Sequence, residues 1–176
     1  MGGFAGSFQL PGGVELRLAR ACDDDFLFRL FVDARPWLSW AEGGHDITRA
    51  LYEQQYRAML AGKEATYPEH LDLVIERLGR AVGRIVVDLG YGDCRIAELQ
   101  IAAAARRRGI GMSVVRGLQL AAARAGVSLS LAAPIFGSQS HRLYQQLGFE
   151  ISSADGALYQ MVWRPLDTSP ASGRQE

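Results

Sequence analysis

Six residues near the middle of the chain, Arg106-Arg107-Arg108-Gly109-Ile110-Gly111, set three positive charges and two glycines at the start of an apolar run that continues to Ala125. A strand-like run, Cys94–Ile101, precedes them. A strand, a glycine-bearing turn and a helix start leave backbone N–H groups without internal partners, and the helix dipole adds partial positive charge there. Gly109 and Gly111 carry no Cβ, so an anion can approach the backbone, and the three arginines surround it with full charge. That arrangement suits a diphosphate. Without the glycines the triplet would read as a solvated basic turn. A nucleic-acid contact would need a basic surplus and stacking aromatics, and neither accompanies it.

Such a cup must be held rigid, and the sequence supplies the means. Ile110, Val114, Val115, Leu118, Ala121, Ala122 and Ala125 recur at helical spacing and form one apolar face. Gly117 inside that helix costs about 0.5–1 kcal/mol relative to Ala, which points to a close helix-to-sheet approach. Upstream, Val14–Arg20 alternates as a half-buried strand, and Asp23–Asp25 offer caps for a helix over Phe26–Ala34. Arg35–His45 reads as a loop, and Ile47–Ala61 as a second helix opened by Asp46. Leu71–Arg77 and Ala81–Leu89 form a hairpin around Gly79-Arg80. After the long helix come a strand at Val127–Ala133, a short helix at Ser138–Leu147 and closing strands at Phe149–Ser153 and Leu158–Trp163. The order β-α-α-β-β-β-α-β-α-β-β describes a single α/β (α+β) domain over residues 14–165. Met1–Gly13, with five glycines and a proline, and residues 166–176 read as flexible tails.

Composition narrows the function classes. The 176 residues are 48% hydrophobic and 22% charged, ordinary values for one globular domain. Nineteen basic and nineteen acidic side chains cancel, which gives no field to draw in nucleic acid or acidic membrane. Cys22 and Cys94 stand alone, with neither a disulfide framework nor a metal-site spacing. No apolar run approaches the roughly 18 residues of a membrane span. The first residues lack a signal-peptide pattern, and Gly6 stands where myristoylation wants Ser or Thr. A reducing, cytoplasmic setting is expected.

Arg106-x-x-Gly109-x-Gly111 resembles the Q/R-x-x-G-x-G/A signature of the GNAT N-acetyltransferases. Further on, Leu143-Tyr144-Gln145-Gln146-Leu147-Gly148-Phe149 looks like that family's LYxxLGF motif, and the element order matches across nearly the whole of residues 14–165. The resemblance implies a GNAT fold: a mixed, mostly antiparallel sheet of about seven strands flanked by about four helices. It implies acetyl-CoA as acyl donor, with the backbone of Leu99, Gln100 and Ile101 pairing with the pantetheine amides. Amides of Arg106, Arg107, Arg108, Gly109, Ile110, Gly111 and Met112 would take the diphosphate, and the arginine side chains would neutralise it. Tyr144 would return a proton to the CoA thiolate. Glu98 would be the base that takes the amine's proton, once burial raises its pKa toward neutrality. The reaction implied is direct attack by a primary amine in a ternary complex, with no metal.

Some positions depart from the family pattern. Ala103 stands where Pro is frequent, Met112 is bulkier than usual, and Gly137 stands where Asn is usual, so Ser138 or Ser140 would supply the polar contact. Arg35–Tyr67 falls where the family builds its acceptor pocket, and Trp37, Trp40, Tyr52, Gln55 and Tyr56 would line it. Plain packing explains each of those residues equally well. So it does for Tyr144, and Glu98 has the alternative of facing solvent or pairing with Arg95. His45 and His70 read as loop histidines, while His141 would lie near the cofactor's solvent end. The acceptor amine, small molecule or peptide, is not specified, and a homodimer is compatible with the family. An inert acyl-CoA-binding regulatory module is the alternative function.

Overall fold

The computed structural model describes residues 6–40, 44–90, 92–136 and 140–166. Its strands and α-helices run in the order β1 (Ser7–Leu10), β2 (Val14–Leu18), α1 (Asp24–Asp33), α2 (His45–Thr66), β3 (His70–Arg77), β4 (Arg80–Leu89), β5 (Asp93–Ile101), α3 (Ile110–Ala125), β6 (Ser128–Pro134), α4 (Ser140–Gln146), β7 (Glu150–Asp155) and β8 (Leu158–Trp163). The eight strands form one sheet in the order β1-β2-β3-β4-β5-β6-β8-β7. Neighbours are antiparallel except β5 and β6, which run parallel because α3 carries the chain back between them.

Each face of the sheet has its own cover. Leu16, Ile75, Ile85, Val87, Ile96, Leu129 and Leu131 pack with Ile110, Val114 and Val115 of α3 into one apolar core. On the opposite face, α1 packs against β4 and α2, burying Leu27, Leu30 and Phe31, while Tyr52 of α2 is buried too. Tyr56 stacks edge-on against Phe28 and Phe31, with centroids 5.3 and 5.1 Å apart. Half-buried, it packs in that layer, in keeping with the packing alternative raised by its helical spacing.

One expectation needs correction. Residues 7–10 are not part of a tail, because β1 pairs with β2 from Ser7↔Arg17 to Leu10↔Val14. The glycines that suggested a tail serve as the hairpin turn: Gly12 and Gly13 have φ of 83° and 69°, a region L-residues rarely adopt. Residues 1–5 and 167–176, the outer parts of the two expected tails, lie outside the described residues. β1 also explains Gly117. A Cβ there would come within 2.2 Å of Leu10 Cδ2, so the close approach that the helix glycine signals is to this edge strand. The apolar face of α3 is less fully covered than expected near its C-terminal end. Ala121 and Ala125 border an apolar cavity of about 260 Å³, together with Phe8, Leu71, Leu89 and Cys94. Burial pushes the Cys94 thiol up to about 11, which makes it a poor nucleophile at neutral pH.

The sheet is continuous except at its centre. β5 pairs with β6 only from Asp93↔Ser128 to Ile96↔Leu131, after which β6 stays with β8 as far as Pro134 and β5 stays with β4 as far as Ile101. The closed end is stapled, since Ser128 and Ser130 donate hydroxyl hydrogen bonds of 2.8 and 2.5 Å to the two oxygens of Asp93. At the point of parting, Val86 faces Glu98 while Val87 faces Ile96, which leaves Ala97 unmatched as a β-bulge. A bulge raises local twist and turns the strand away from its neighbour. Residues 97–101 therefore present an edge to a wedge-shaped opening.

Gly83 holds β4 close to this edge. An added Cβ would lie 2.4 Å from the Gln100 carbonyl oxygen and 2.9 Å from Ile101 Cδ1. Gly83→Ala is expected to destabilise the fold by about 1–3 kcal/mol in denaturant titration, because backbone rather than a flexible side-chain tip must move. Wild-type stability in that variant would show that β4 and β5 are not so tightly apposed.

Candidate functional site

The β5 and β6 strands both run toward the open end of the wedge, so the segments that follow them gather there. After Ile101, the Ala102 amide bonds the Val82 carbonyl at 2.9 Å, and a single 3-10 turn over Ala103–Ala105 buries Ala105 against the α3-side core. The Arg106 amide then donates to the Ala103 carbonyl at 3.3 Å, and its Nε donates to the Ile101 carbonyl at 2.8 Å. Arg106 thus ties the turn to the end of β5. Its amide leaves the expected anion-binding set, since it already has an acceptor.

The amides from Arg107 to Met112 find no acceptor among the described residues. Arg107 has φ 59° and Gly109, the α3 N-cap, has φ 75°. Left-handed residues in a turn aim successive N–H groups into one concavity. The amides of Arg107, Arg108 and Gly109 have no acceptor among the described residues. Those of Ile110, Gly111 and Met112 belong to the first turn of α3, where no carbonyl precedes them; the helical ladder begins with Ser113 N–H to the Gly109 carbonyl at 2.9 Å. Ile110, 3% exposed, and Val114 anchor this end in the core. The nearest atom to a Cβ at Gly111 would be Ile101 Cγ1, at 3.9 Å. Packing among the described residues does not require a glycine there, and its absence of a side chain leaves the backbone open to close approach. The Arg107 and Arg108 side chains are exposed beside this cup.

α4 follows the other arm of the wedge and packs on β6. Ser140 is its first residue; Gly137 and Ser138 lie outside the described residues. Tyr144 is half-buried, with its ring edge-on to Phe149 at 5.7 Å and its carbonyl accepting from the Phe149 amide at 3.0 Å. Burial raises its phenol pKa, so the hydroxyl keeps its proton across the neutral range. That hydroxyl has no hydrogen-bond partner among the described residues. His141 sets its ring edge-on to Tyr159 of β8 at 5.6 Å.

On the α2 side of the sheet, the β5 edge borders a cavity of about 530 Å³ lined by Arg35, Met59, Lys63, Tyr67, Glu98 and Gln100. Met59, Gly62, Lys63 and Thr66 supply its α2 wall, a helical i, i+3, i+4, i+7 stripe. The expected lining of Trp37, Tyr52, Gln55 and Tyr56 is absent from it: α2 continues to Thr66, and the residues one or two turns further on reach the sheet. Trp37 is 54% exposed in the turn before α2, Gln55 faces outward, and the backbone turn ends at Trp40.

Glu98 does not pair with Arg95, which donates to Gln160 at 3.1 Å. Its partner is Arg84, whose Nη1 lies 3.3 Å from Glu98 Oε2. Arg84 is 1% exposed and grips Asp72 through Nε and Nη2 at 2.8 and 2.5 Å; Lys63 Nζ reaches the same carboxylate at 2.5 Å. Burial alone would lower the Arg84 pKa, but the bond to Asp72 and the field of Glu98 raise it overall. Burial likewise opposes the Asp72 charge, yet its bonds to Arg84 and Lys63 hold it below the usual carboxylate range. Sequence reading missed this network. Its only signal is an aspartate and an arginine set among the apolar residues at the middle of β3 and β4.

Residues 72–157 match the family model described as FR47-like protein. No curated protein matches the chain. Among solved structures, the PaiA N-acetyltransferase from Thermoplasma acidophilum in complex with coenzyme A is 15% identical, with a TM-score of 0.65 over 86% of this chain and 98% of that one. FdhC, a nucleotide-linked sugar GNAT solved in its apo form, is 12% identical at a TM-score of 0.66, covering 90% and 89%. RimL, a ribosomal L7/L12 alpha-N-protein acetyltransferase in complex with coenzyme A, is 13% identical at a TM-score of 0.64, covering 91% and 98%. No described helix is long and apolar enough to cross a membrane.

The carboxylate network yields a pH prediction. Because the folded-state pKa of Asp72 is depressed, its contribution is present above the unfolded value of about 3.9 and is lost as pH falls through the folded value. Asp72→Asn should cost about 3 kcal/mol at pH 7, since Arg84 is left buried without its main partner. In urea titrations the gap between wild type and variant should close as pH drops below about 4. A gap independent of pH would remove the charge from the explanation.

Proposed function

Because the chain has the GNAT fold and carries the FR47-like pattern over residues 72–157, we propose that it is an acyltransferase that moves an acetyl group from acetyl-CoA to a primary amine. One observation carries this reading: the free amides of Arg107–Met112 and the unpaired β5 edge at residues 97–101 open at the same end of the split sheet. A ligand with a diphosphate at one end and an amide-bearing arm at the other fits both features. Arg107 and Arg108 balance the diphosphate charge, and Leu99, Gln100 and Ile101 hydrogen-bond the arm. Acetyl-CoA supplies the acyl group as a thioester, which a neutral amine displaces with departure of the thiolate.

The remaining steps belong to the protein. Glu98, in the cavity wall beside the β5 edge, takes the proton the amine sheds, directly or through water. Arg84 fixes the Glu98 carboxylate from the interior side and leaves its outer face toward the cavity. Backbone N–H groups at the Ala97 bulge stabilise charge on the acyl oxygen. Tyr144, kept protonated by burial and without a partner for its hydroxyl among the described residues, protonates the departing thiolate. Holding amine and thioester in contact accounts for a large share of the acceleration.

Tyr144→Phe retains the ring contact with Phe149 and removes only the proton. Turnover measured by thiol release over a panel of amines should fall about 10²-fold or more, with CoA affinity unchanged. Binding of acetyl-CoA without turnover on any amine, by wild type as well as variant, would favour the inert regulatory module. Gly111→Asp should fold, because the nearest described atom to a Cβ there, Ile101 Cγ1, is 3.9 Å away, and should lose CoA binding in calorimetry. Wild-type affinity in that variant would put the diphosphate elsewhere.

A further inference from the structure

Among the described residues, the cations in and behind the α2-side cavity are Arg35, Lys63 and Arg84, and the carboxylates that pair with them are Asp72 and Glu98. Asp72 is engaged by both Lys63 and Arg84, and Glu98 by Arg84. Arg35 lines the same cavity and forms no ion pair among the described residues. It is held in place nonetheless. Its carbonyl accepts a hydrogen bond from the hydroxyl of buried Tyr52 at 2.9 Å. Its guanidinium carbon lies 4.0 Å from the centroid of the Phe31 ring, and Nη1 donates to the Phe31 carbonyl at 3.4 Å. A guanidinium offers five N–H donors in a rigid fork, so most remain unused. Burial, followed by repulsion from Arg84, lowers the Arg35 pKa despite the opposing attraction of Glu98. A fixed, partly desolvated cation of this kind is relieved by an incoming anion.

We propose that the acceptor is an amine that also carries an anionic oxygen group, a carboxylate or phosphate, and that Arg35 receives this group while Glu98 faces the amine. The inference rests on the acyl-transfer reading and adds the acceptor class to it. A cavity of about 530 Å³ suits a small zwitterionic molecule or the end of a larger one. Arg35 is a specificity residue here. Its contact is the same before and during the reaction, so its loss raises KM and leaves kcat little changed.

Matched acceptors supply the test: α-amino acids against their carboxamides, and phosphoethanolamine against ethanolamine. The carboxamide's amine is less basic and more often neutral, so a site without anion recognition would favour the amide. Wild type should instead show a KM at least about tenfold lower for the anionic member of one set, and which set responds tells carboxylate from phosphate. Arg35→Gln should abolish that preference, and Arg35→Lys should keep part of it. CoA affinity, measured on each variant, reports that the fold is intact. Equal KM within both sets, or a preference that survives Arg35→Gln, overturns the proposal and leaves acyl transfer standing. CoA binding without turnover of any amine defeats the transfer reading and this proposal with it.

Discussion

The hydrogen-bond ladder between β5 and β6 stops after four residue pairs, and the arrangement of the site follows from that stop. In a sheet, an unpaired strand edge exposes N–H and C=O groups that seek partners. Here the edge is internal, flanked by helices on both faces and open only where α3 and α4 begin. Two local features maintain it. The Asp93 carboxylate clamps the closed end through Ser128 and Ser130, and the Ala97 bulge turns β5 away from β6 beyond Ile96. Because parallel strands require a crossover, the helix that joins β5 to β6 brings its own positive end to the mouth of the opening. Topology alone therefore sets the amides of a helix start beside a strand edge that lacks a neighbour.

The two faces of the sheet divide the remaining work. The α3 face is apolar and fixes the helix start, with Ile110 and Val114 seated in the core and Gly117 allowing β1 to close over the far edge. The α2 face contains the charges. A buried arginine with only one carboxylate would be costly, so Arg84 is matched to both Asp72 and Glu98, and Lys63 completes the charge on Asp72. This network holds Glu98 in a defined orientation. It also leaves Arg35 within the field of Glu98 but without an ion pair among the described residues.

What was legible in the sequence was whatever depends on short-range pattern. The amide cup shows in the glycines and the helix behind them, and Tyr144 shows in its seven-residue motif. Strand and helix order is readable from alternation and spacing, so the fold class follows. β1 was hidden because its turn glycines and those of the residues before it look alike in composition, and only pairing with β2 separates them. The Lys63–Asp72–Arg84–Glu98 network joins four elements of the chain, and its members look like ordinary surface charges until register puts them on one face. The α2 wall of the cavity lies about two helical turns beyond the residues expected to line an acceptor pocket, because the end of α2 has no sharp sequence signal: Glu64, Ala65 and Thr66 continue the helix beyond the last clear apolar repeat. Arg106 could not be separated from its two neighbours by type, and only the turn geometry shows it bonded back to β5.

Amide hydrogen exchange with and without saturating CoA separates the possibilities. Slowed exchange is expected at Arg107 to Met112 and at the β6-facing amides of residues 97–101, which have no strand neighbour on that side among the described residues. The Arg106 amide, already bonded to Ala103, should change little. CoA binding that protects neither set, or that protects only the apolar cavity behind α3, would contradict the proposed acetyl-CoA site.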